Sequence, residues 1–154
     1  MSKELVKTNM KKVYIMIGSP GSGKSTWVDE HNLPSISRDK VRAQLGFCTP
    51  GEKYLGTKDQ EDRVTEECGR QRAELACSGL DFAIDDTNVR KGRREVLVTE
   101  LKGIGYHVVG VWMKTKLEEC LKRREGEIPE IVIARMWIAA QDVDPSEFDE
   151  LIEV

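Results

Sequence analysis

The stretch that decides the fold reads Gly18-Ser19-Pro20-Gly21-Ser22-Gly23-Lys24-Ser25, which fits G-x-x-x-x-G-K-[ST] at every fixed position. It follows a short apolar run at residues 13–17, typical of a buried strand, and precedes a predicted helix at 24–31. Glycines let the backbone curl so that successive N–H groups face one anion, and the following helix adds its positive end. The stretch therefore predicts a phosphate-binding loop.

Two side chains of this loop can do chemistry. Lys24 can reach the β- and γ-phosphates of a nucleoside triphosphate and neutralise charge, while the Ser25 hydroxyl can bind Mg²⁺. Thr26 extends the loop, so the predicted nucleotide site covers residues 18–26. The alternative is a glycine-rich turn that carries Lys-Ser by chance, but its position between a strand and a helix favours the phosphate loop.

Short apolar runs alternate with helical patterns along the rest of the chain. Further strands are predicted at 33–37, 80–84 and 107–113, and helices at 39–45, 57–78, 93–102, 115–124 and 129–140. A loop is expected at 49–56 and a short acidic helix after residue 144. This alternation implies an α/β fold, with a parallel sheet of four or five strands flanked by helices and all strand carboxyl ends at one edge.

Four residues supply start or stop signals for these helices. Ser37 is expected to cap the helix at 39–45, and Gly79 is expected to end the long helix before it. Thr115 and Glu118 have the spacing of a capping box at the start of the helix at 115–124.

Composition bounds the remaining possibilities. The 154 residues suit a single domain at 12–154 behind a flexible polar leader at 1–11. The sequence has neither an apolar signal nor a run of about 20 apolar residues, which favours a cytoplasmic protein with reduced thiols and no membrane partner. The formal net charge of −3 argues against a protein that coats nucleic acid, but not against a local basic groove.

Charged residues follow the second predicted strand, where the sheet edge would bring them beside the phosphate loop. Asp39 and Arg42 are three residues apart, so they share a helix face. The carboxylate could accept the proton of an attacking hydroxyl, and the arginine could hold an anionic substrate. The alternative is that Asp39 only complements the helix dipole, which is worth about 0.3–1 kcal/mol.

Two adjacent acids, Asp85 and Asp86, end the third strand ahead of Thr87-Asn88. A carboxylate after a buried strand is typical of a Mg²⁺-positioning group, although Asp and Asn are also common in turns. Only one of the two acids can point into the site, because neighbours on an extended chain face opposite ways.

Two basic clusters lie further along the chain. Arg93 and Arg94, behind Arg90 and Lys91, could clamp phosphate or form a solvated face. The second cluster, at 122–124, could supply an arginine to a transferring phosphate or complement the helix dipole.

Several of these segments, in this order, resemble the kinase domain of the bacteriophage polynucleotide kinase family over about residues 12–137. The matching segments are 18–27, Ser37-Arg38-Asp39 with Arg42, and Asp86-Thr87-Asn88 with Arg93-Arg94. The resemblance implies a P-loop kinase with a small helical lid that transfers the γ-phosphoryl group of ATP, with Mg²⁺, to the 5′-hydroxyl end of DNA or RNA.

Residue roles follow from the same resemblance. Asp39 matches the general base and Arg42 its partner, while Arg123 or Arg124 matches the lid arginine. Lys24 and Ser25 match the donor-phosphate and metal groups. The expected acceptor contacts are Arg38, Asp39, Arg42, Asp86, Thr87 and Arg93, and the expected metal ligands are Ser25 and Asp86.

The chain also departs from the family. Lys40 replaces a second acid, and the segment between Arg123 and Pro129 is short, so the lid arginine is not uniquely assigned. No phosphatase domain is recognisable, so 3′-end processing is not expected. A kinase for a small molecule or tRNA-linked substrate, and a nucleotide-binding switch, stay open as alternatives, as does the oligomeric state.

Overall fold

The computed structural model describes residues 10–47 and 56–154. The predicted leader at 1–11 and the predicted loop at 49–56 lie outside these residues, apart from Met10, Lys11 and Gly56.

The sheet has five parallel strands in the order β2-β3-β1-β4-β5. Six α-helices are described, with one 3₁₀ turn, at Pro145–Glu147, before the last strand. The strands are β1 Lys12–Ile17, β2 Ser35–Ile36, β3 Phe82–Ile84, β4 His107–Trp112 and β5 Glu150–Glu153. The helices are α1 Lys24–Glu30, α2 Arg38–Gln44, α3 Lys58–Ser78, α4 Lys91–Gly103, α5 Leu117–Arg123 and α6 Glu130–Ala139.

The central strand, β1, separates two layers of core. Val13, Ile15 and Ile17 pack with apolar residues of α2, α3 and α4 on one face. Met16 packs on the other face, against Trp27 of α1. This alternation follows from the two-residue period of a strand, and each buried aliphatic side chain stabilises the fold by about 1.5–3 kcal/mol. Because every strand is parallel, the loops after β1, β2 and β3 meet at one edge of the sheet.

The expected cap residues are confirmed in two cases and wrong in one. The Ser37 hydroxyl accepts a hydrogen bond from the Lys40 N–H, and Gly79 ends α3 in the left-handed conformation at φ 67°. The predicted capping box at Thr115 does not form, since α5 begins at Leu117 without a side-chain cap. The Thr115 hydroxyl instead donates to the carbonyl of Ser22, in the phosphate loop.

The end of the chain corrects a second prediction. Residues 150–153 form strand β5 beside β4, rather than part of an acidic helix. Gly110 of β4 makes room for this arrangement, because a Cβ at that position would lie 2.7 Å from the ring of Phe148. Among the described residues, no helix is both long and apolar enough to cross a membrane.

Candidate active site

The phosphate loop connects β1 to α1. Gly21 and Gly23 have φ angles of 80° and 97°, a left-handed region that side chains disfavour. Gly18 has no room for a side chain, because a Cβ would overlap the Ser22 hydroxyl. The Gly18 N–H donates to the carbonyl of Thr87, which ties the loop to the segment after β3. The backbone therefore has the curled shape that the glycine pattern predicts.

Lys24 lies within this curl. Its Nζ donates to the carbonyl oxygens of Gly18 at 3.0 Å and Ser19 at 2.9 Å. Burial lowers the pKa of Lys24 to about 8; the Asp85 charge opposes this shift and the Arg124 charge adds to it. A buried ammonium group without a carboxylate in contact is well suited to meet an incoming phosphate, whose charge would replace the carbonyl dipoles.

The two acids after β3 face different ways, and this affects the predicted pair of metal ligands, Ser25 and Asp86. The Ser25 hydroxyl donates to Oδ2 of Asp85 at 2.8 Å, so Asp85 takes the place beside Ser25 that the sequence analysis gave to Asp86. Asp86 faces the other way, where its Oδ1 accepts the Arg38 N–H at 2.8 Å. The hydroxyl and carboxylate oxygens of Ser25 and Asp85 fit Mg²⁺, which prefers oxygen ligands.

Asp86 lies among the residues expected to contact the acceptor. Burial is the main cause that raises the pKa of its carboxyl group, and the charge of Asp39 raises it as well. The Arg38 N–H, the Arg38 charge and the Arg93 charge all oppose that shift. Asp86 therefore lies close enough to Arg38, Asp39 and Arg93 to interact with each of them.

An ion-pair network fixes the start of α2. Arg42 Nη1 donates to Oδ1 of Asp39 at 2.7 Å, while Arg42 Nε donates to Oε1 of Glu61 at 3.0 Å. Arg38 Nη2 contacts Oε2 of the same glutamate at 2.6 Å. The Asp39 side chain is 94% exposed, so it remains open to a substrate hydroxyl.

Glu61 was missed by the sequence analysis. It belongs to α3, and it holds both arginines of α2 with one carboxylate. A signal did exist, because Glu61 stands at helical spacing before the buried residues Val64 and Cys68. An acid on the buried face of a helix usually has a charged partner.

The basic pair at the start of α4 divides into one structural and one exposed residue. Arg94 is fully buried and binds Glu147, with its Nε 2.9 Å from Oε1. It also donates to the carbonyls of Asn88 and Asp142. The reading of Arg94 as a phosphate clamp is therefore wrong. Arg93 is exposed. Thr87, another expected acceptor contact, accepts a hydrogen bond from the Gly18 N–H of the phosphate loop through its backbone carbonyl.

Helices α5 and α6 form the lid, and two arginines at the end of α5 lie over the phosphate loop. Arg123 Nη1 donates to the carbonyl of Gly21 at 3.0 Å, and its Nε donates to Glu119. Arg124 Nη1 binds Glu127, while its Cγ would lie 3.1 Å from a Cβ on Gly21. Both remain candidates for the lid arginine, because both face the loop.

The lid is attached to the loop by further hydrogen bonds. The Thr115 hydroxyl donates to the carbonyl of Ser22 at 2.7 Å, and Trp137 of α6 donates to the carbonyl of Thr115 at 2.9 Å. The Ser19 hydroxyl points at Cys120 Sγ, 3.5 Å away in the interior.

A cavity of about 560 Å³ lies between the phosphate loop and the lid. This volume falls within the usual range for small-molecule sites. The cavity is lined by loop residues 21–26 together with Trp27, Glu30, Met113, Thr115, Arg123, Arg124 and Val154. The fold therefore supplies a nucleotide-sized space at the predicted donor site.

A family model described as an AAA domain matches residues 13–136, so the chain belongs to that family. Together with the five-stranded parallel sheet and its helical lid, this makes the chain a P-loop kinase, a class that uses ATP.

The expected likeness to polynucleotide kinases is confirmed. The chain is 28% identical over 124 residues to a protein of Autographa californica nuclear polyhedrosis virus assigned as a bifunctional polynucleotide kinase/RNA ligase. That match covers 73% of this chain and 18% of the viral protein. A chain of the Pnkp1/Rnl/Hen1 RNA repair complex matches with a TM-score of 0.75 at 22% identity, over 91% of this chain and 47% of that one.

Kinases with small-molecule substrates share the same fold. The APS kinase of Mycobacterium tuberculosis matches with a TM-score of 0.59 at 15% identity, over 94% of this chain and 88% of that one. A gluconokinase from Sinorhizobium meliloti 1021 matches with a TM-score of 0.56 at 18% identity, over 94% of this chain and 82% of that one.

Proposed function

We propose that this chain transfers the γ-phosphoryl group of ATP to the 5′-hydroxyl end of a polynucleotide, with Asp39 as the general base. One observation carries the proposal: Asp85 and Asp86 join two sets of functional groups. Asp85 is bonded to Ser25 of the phosphate loop, and Asp86 is bonded to the backbone of Arg38, next to the Asp39–Arg42 ion pair. The proposed donor and acceptor groups are thus connected through two adjacent residues, Asp85 and Asp86.

The reaction follows from these positions. The 5′-hydroxyl oxygen forms a bond to the γ-phosphorus while the bond from that phosphorus to the β–γ bridging oxygen breaks, and ADP leaves. Asp39 accepts the proton of the hydroxyl, and Arg42 orients the Asp39 carboxylate through their ion pair. Lys24 and a lid arginine balance the charge that spreads over the transferred group.

Mg²⁺ would be held by Ser25 and Asp85, and when bound it neutralises charge on the β- and γ-phosphates. The chain's own contribution is to keep those two oxygen ligands together at 2.8 Å. Asp86 is left on the acceptor side, where its buried carboxyl group can bind the incoming hydroxyl or sugar.

A polynucleotide acceptor is supported by the assigned name of the viral relative. Arg38 and Arg42 lie beside Asp39, where both are bound to Glu61. A small-molecule acceptor is the second candidate. The formal net charge of −3 favours it, because polynucleotide binding normally depends on a positive surface.

An acceptor panel with γ-labelled ATP tests the proposal. The panel contains one oligonucleotide sequence as 5′-hydroxyl DNA, as 5′-hydroxyl RNA and as 5′-phosphorylated DNA, with nucleosides, gluconate and buffer alone. We expect label on the 5′-hydroxyl strands and none on the phosphorylated control. Label on a nucleoside or on gluconate alone would support the small-molecule kinase, and hydrolysis without transfer to any acceptor would support a nucleotide-binding switch.

A further inference from the structure

We propose that Arg90 and Arg93, at the start of α4, bind the backbone phosphates of the polynucleotide acceptor downstream of its 5′-end. This inference rests on the proposed function and adds a path for the strand. It predicts that the acceptor leaves the reaction centre along the first turn of α4.

The first support is that these two charges are available. Seven of the other arginines in the described part of the chain have a carboxylate partner within 4.0 Å. Arg90 and Arg93 are exposed, and within residues 10–47 and 56–154 neither side chain makes a hydrogen bond or an ion pair. Lys91 is exposed as well, and its charge helps to lower the pKa of the Asp144 carboxyl group, after the larger effect of Ser146. The proposal is confined to the two arginines, because a planar guanidinium group can bind two phosphate oxygens at once.

The second support is that their platform is rigid. The next residue, Arg94, is fully buried and bonds to Glu147 and to the carbonyls of Asn88 and Asp142. Breaking a buried ion pair of this kind is strongly destabilising, so the start of α4 is firmly held. Arg90 and Arg93 point outward from an anchored turn, and a Cβ on Gly92 between them would meet nothing within 4 Å.

The third support is position. Arg94, the neighbour of Arg93, donates to the carbonyl of Asn88 at 3.0 Å, and Asp86, two residues before Asn88, is bonded to the segment that carries Asp39. Arg90 is the N-cap residue of α4, three positions before Arg93, so both cations lie at the N-terminal end of this helix. From there their long flexible side chains can reach successive phosphates of one strand. An acceptor with a single phosphate would not need both.

The experiment compares two acceptors of different length. Steady-state transfer is measured for a 5′-hydroxyl DNA octamer and for a nucleoside 3′-monophosphate, with wild-type protein and with Arg90→Ala, Arg93→Ala and the double variant. The ratio of the octamer KM to the mononucleotide KM should rise about 3–10-fold in Arg90→Ala. The slope of log KM for the octamer against log salt should also fall by about one.

Matched variants separate the phosphate contact from other effects. Lys102→Ala, at the opposite end of α4, should change neither the KM ratio nor the salt slope. Arg90→Lys should restore most of the salt slope, because it keeps the charge. Circular dichroism melting of each variant confirms that α4 has not unfolded.

The outcomes are distinct. If wild-type protein labels the octamer and Arg90→Ala leaves the KM ratio and salt slope unchanged, this inference is wrong and the proposed function stands. An equal rise in KM for both acceptors would also overturn it. If wild-type protein neither labels nor binds the octamer in a fluorescence anisotropy titration, the proposed function fails as well.

Discussion

The donor side and the acceptor side of this site are held together in different ways. On the donor side, Lys24, Thr115 and Arg123 all donate to carbonyl oxygens of the phosphate loop, so the backbone itself is the scaffold. On the acceptor side, Asp39 is held by Arg42, which is bound in turn to Glu61 of a different helix. Here side chains connect α2 to α3.

This difference indicates which half of the site can change. A loop shaped by glycine and backbone carbonyls tolerates few substitutions, because its geometry depends on φ angles that other residues disfavour. A network of side chains between α2 and α3 can be altered one residue at a time without disturbing the loop. That arrangement suits a fold that kinases for different acceptors share.

Apart from Asp39, the proposed base, the largest effect is expected on the donor side. Lys24→Ala should lower the rate of phosphoryl transfer by roughly 10²–10³, as expected when a charge-stabilising donor is lost. Lys58→Ala is the matched control, because Lys58 is exposed and its ion-pair partner in the described part of the chain is Asp62 of the same helix. A loss of less than tenfold in Lys24→Ala would contradict the role of Lys24.

Lys24 also predicts a pH dependence of stability in the nucleotide-free protein. The pKa of Lys24 is about 8 in the folded protein, whereas its ordinary value, which applies to the unfolded chain, is 10.5. Below about pH 8 the lysine is charged in both states, so the cost of burying the charge is fully present. Between about pH 8 and 10.5 the unfolded chain binds the extra proton, so stability rises with pH.

Urea unfolding of wild-type protein and Lys24→Met measures this effect. The free energy of unfolding of the wild type, relative to the variant, should increase by up to about 3 kcal/mol across that pH window. If the difference in free energy of unfolding between the two proteins stays the same from pH 7.5 to 10.5, burial does not lower the pKa of Lys24.

An intermediate effect is expected from Glu61→Gln. The substitution keeps the shape but removes the charge that Arg38 and Arg42 share, so kcat/KM for the acceptor should fall about tenfold while the KM for ATP stays the same. Glu66→Gln, on an exposed position of α3, is the control. An equal loss for ATP and acceptor would mean that Glu61 supports the whole fold and not one side of the site.

The smallest effect is expected from Thr115→Val, which removes the hydroxyl that joins the lid to the phosphate loop. One net hydrogen bond is worth about 0.5–1.5 kcal/mol, so ATP should bind about 2–10-fold more weakly in a calorimetric titration. Thr115→Ser should bind ATP like the wild type, and the acceptor KM should not change. If Thr115→Val binds ATP as tightly as the wild type, the hydrogen bond between the lid and the loop does not contribute to ATP binding.

The same contrast explains what the sequence could predict. The phosphate loop, the strand before it and the caps at Ser37 and Gly79 depend on neighbouring residues, and these predictions are confirmed. The strands β1 to β4 and their parallel direction followed from the alternation of apolar runs and helical patterns. Strand β5 was missed, because Glu150–Glu153 is short and acidic and becomes a strand only by pairing with β4.

Errors at the site have the same origin. The alternation rule said that one of two adjacent acids would face the loop, but only the packing of β3 beside β1 decides that it is Asp85. Glu61 and Asp39 belong to different helices, and the packing of α2 against α3 brings both of them to Arg42. Arg94 matched a phosphate-clamp pattern, yet its partner Glu147 is distant in sequence.

The most direct measurement of the central claim is the transfer rate of Asp39→Asn. Asp59→Asn is the matched control, because both acids stand in the first turn of a helix. We predict that Asp39→Asn transfers phosphate to a 5′-hydroxyl oligonucleotide roughly 10²–10⁴-fold more slowly, with unchanged ATP affinity, while Asp59→Asn stays near the wild-type rate. A near-wild-type rate in Asp39→Asn would show that Asp39 is not the base.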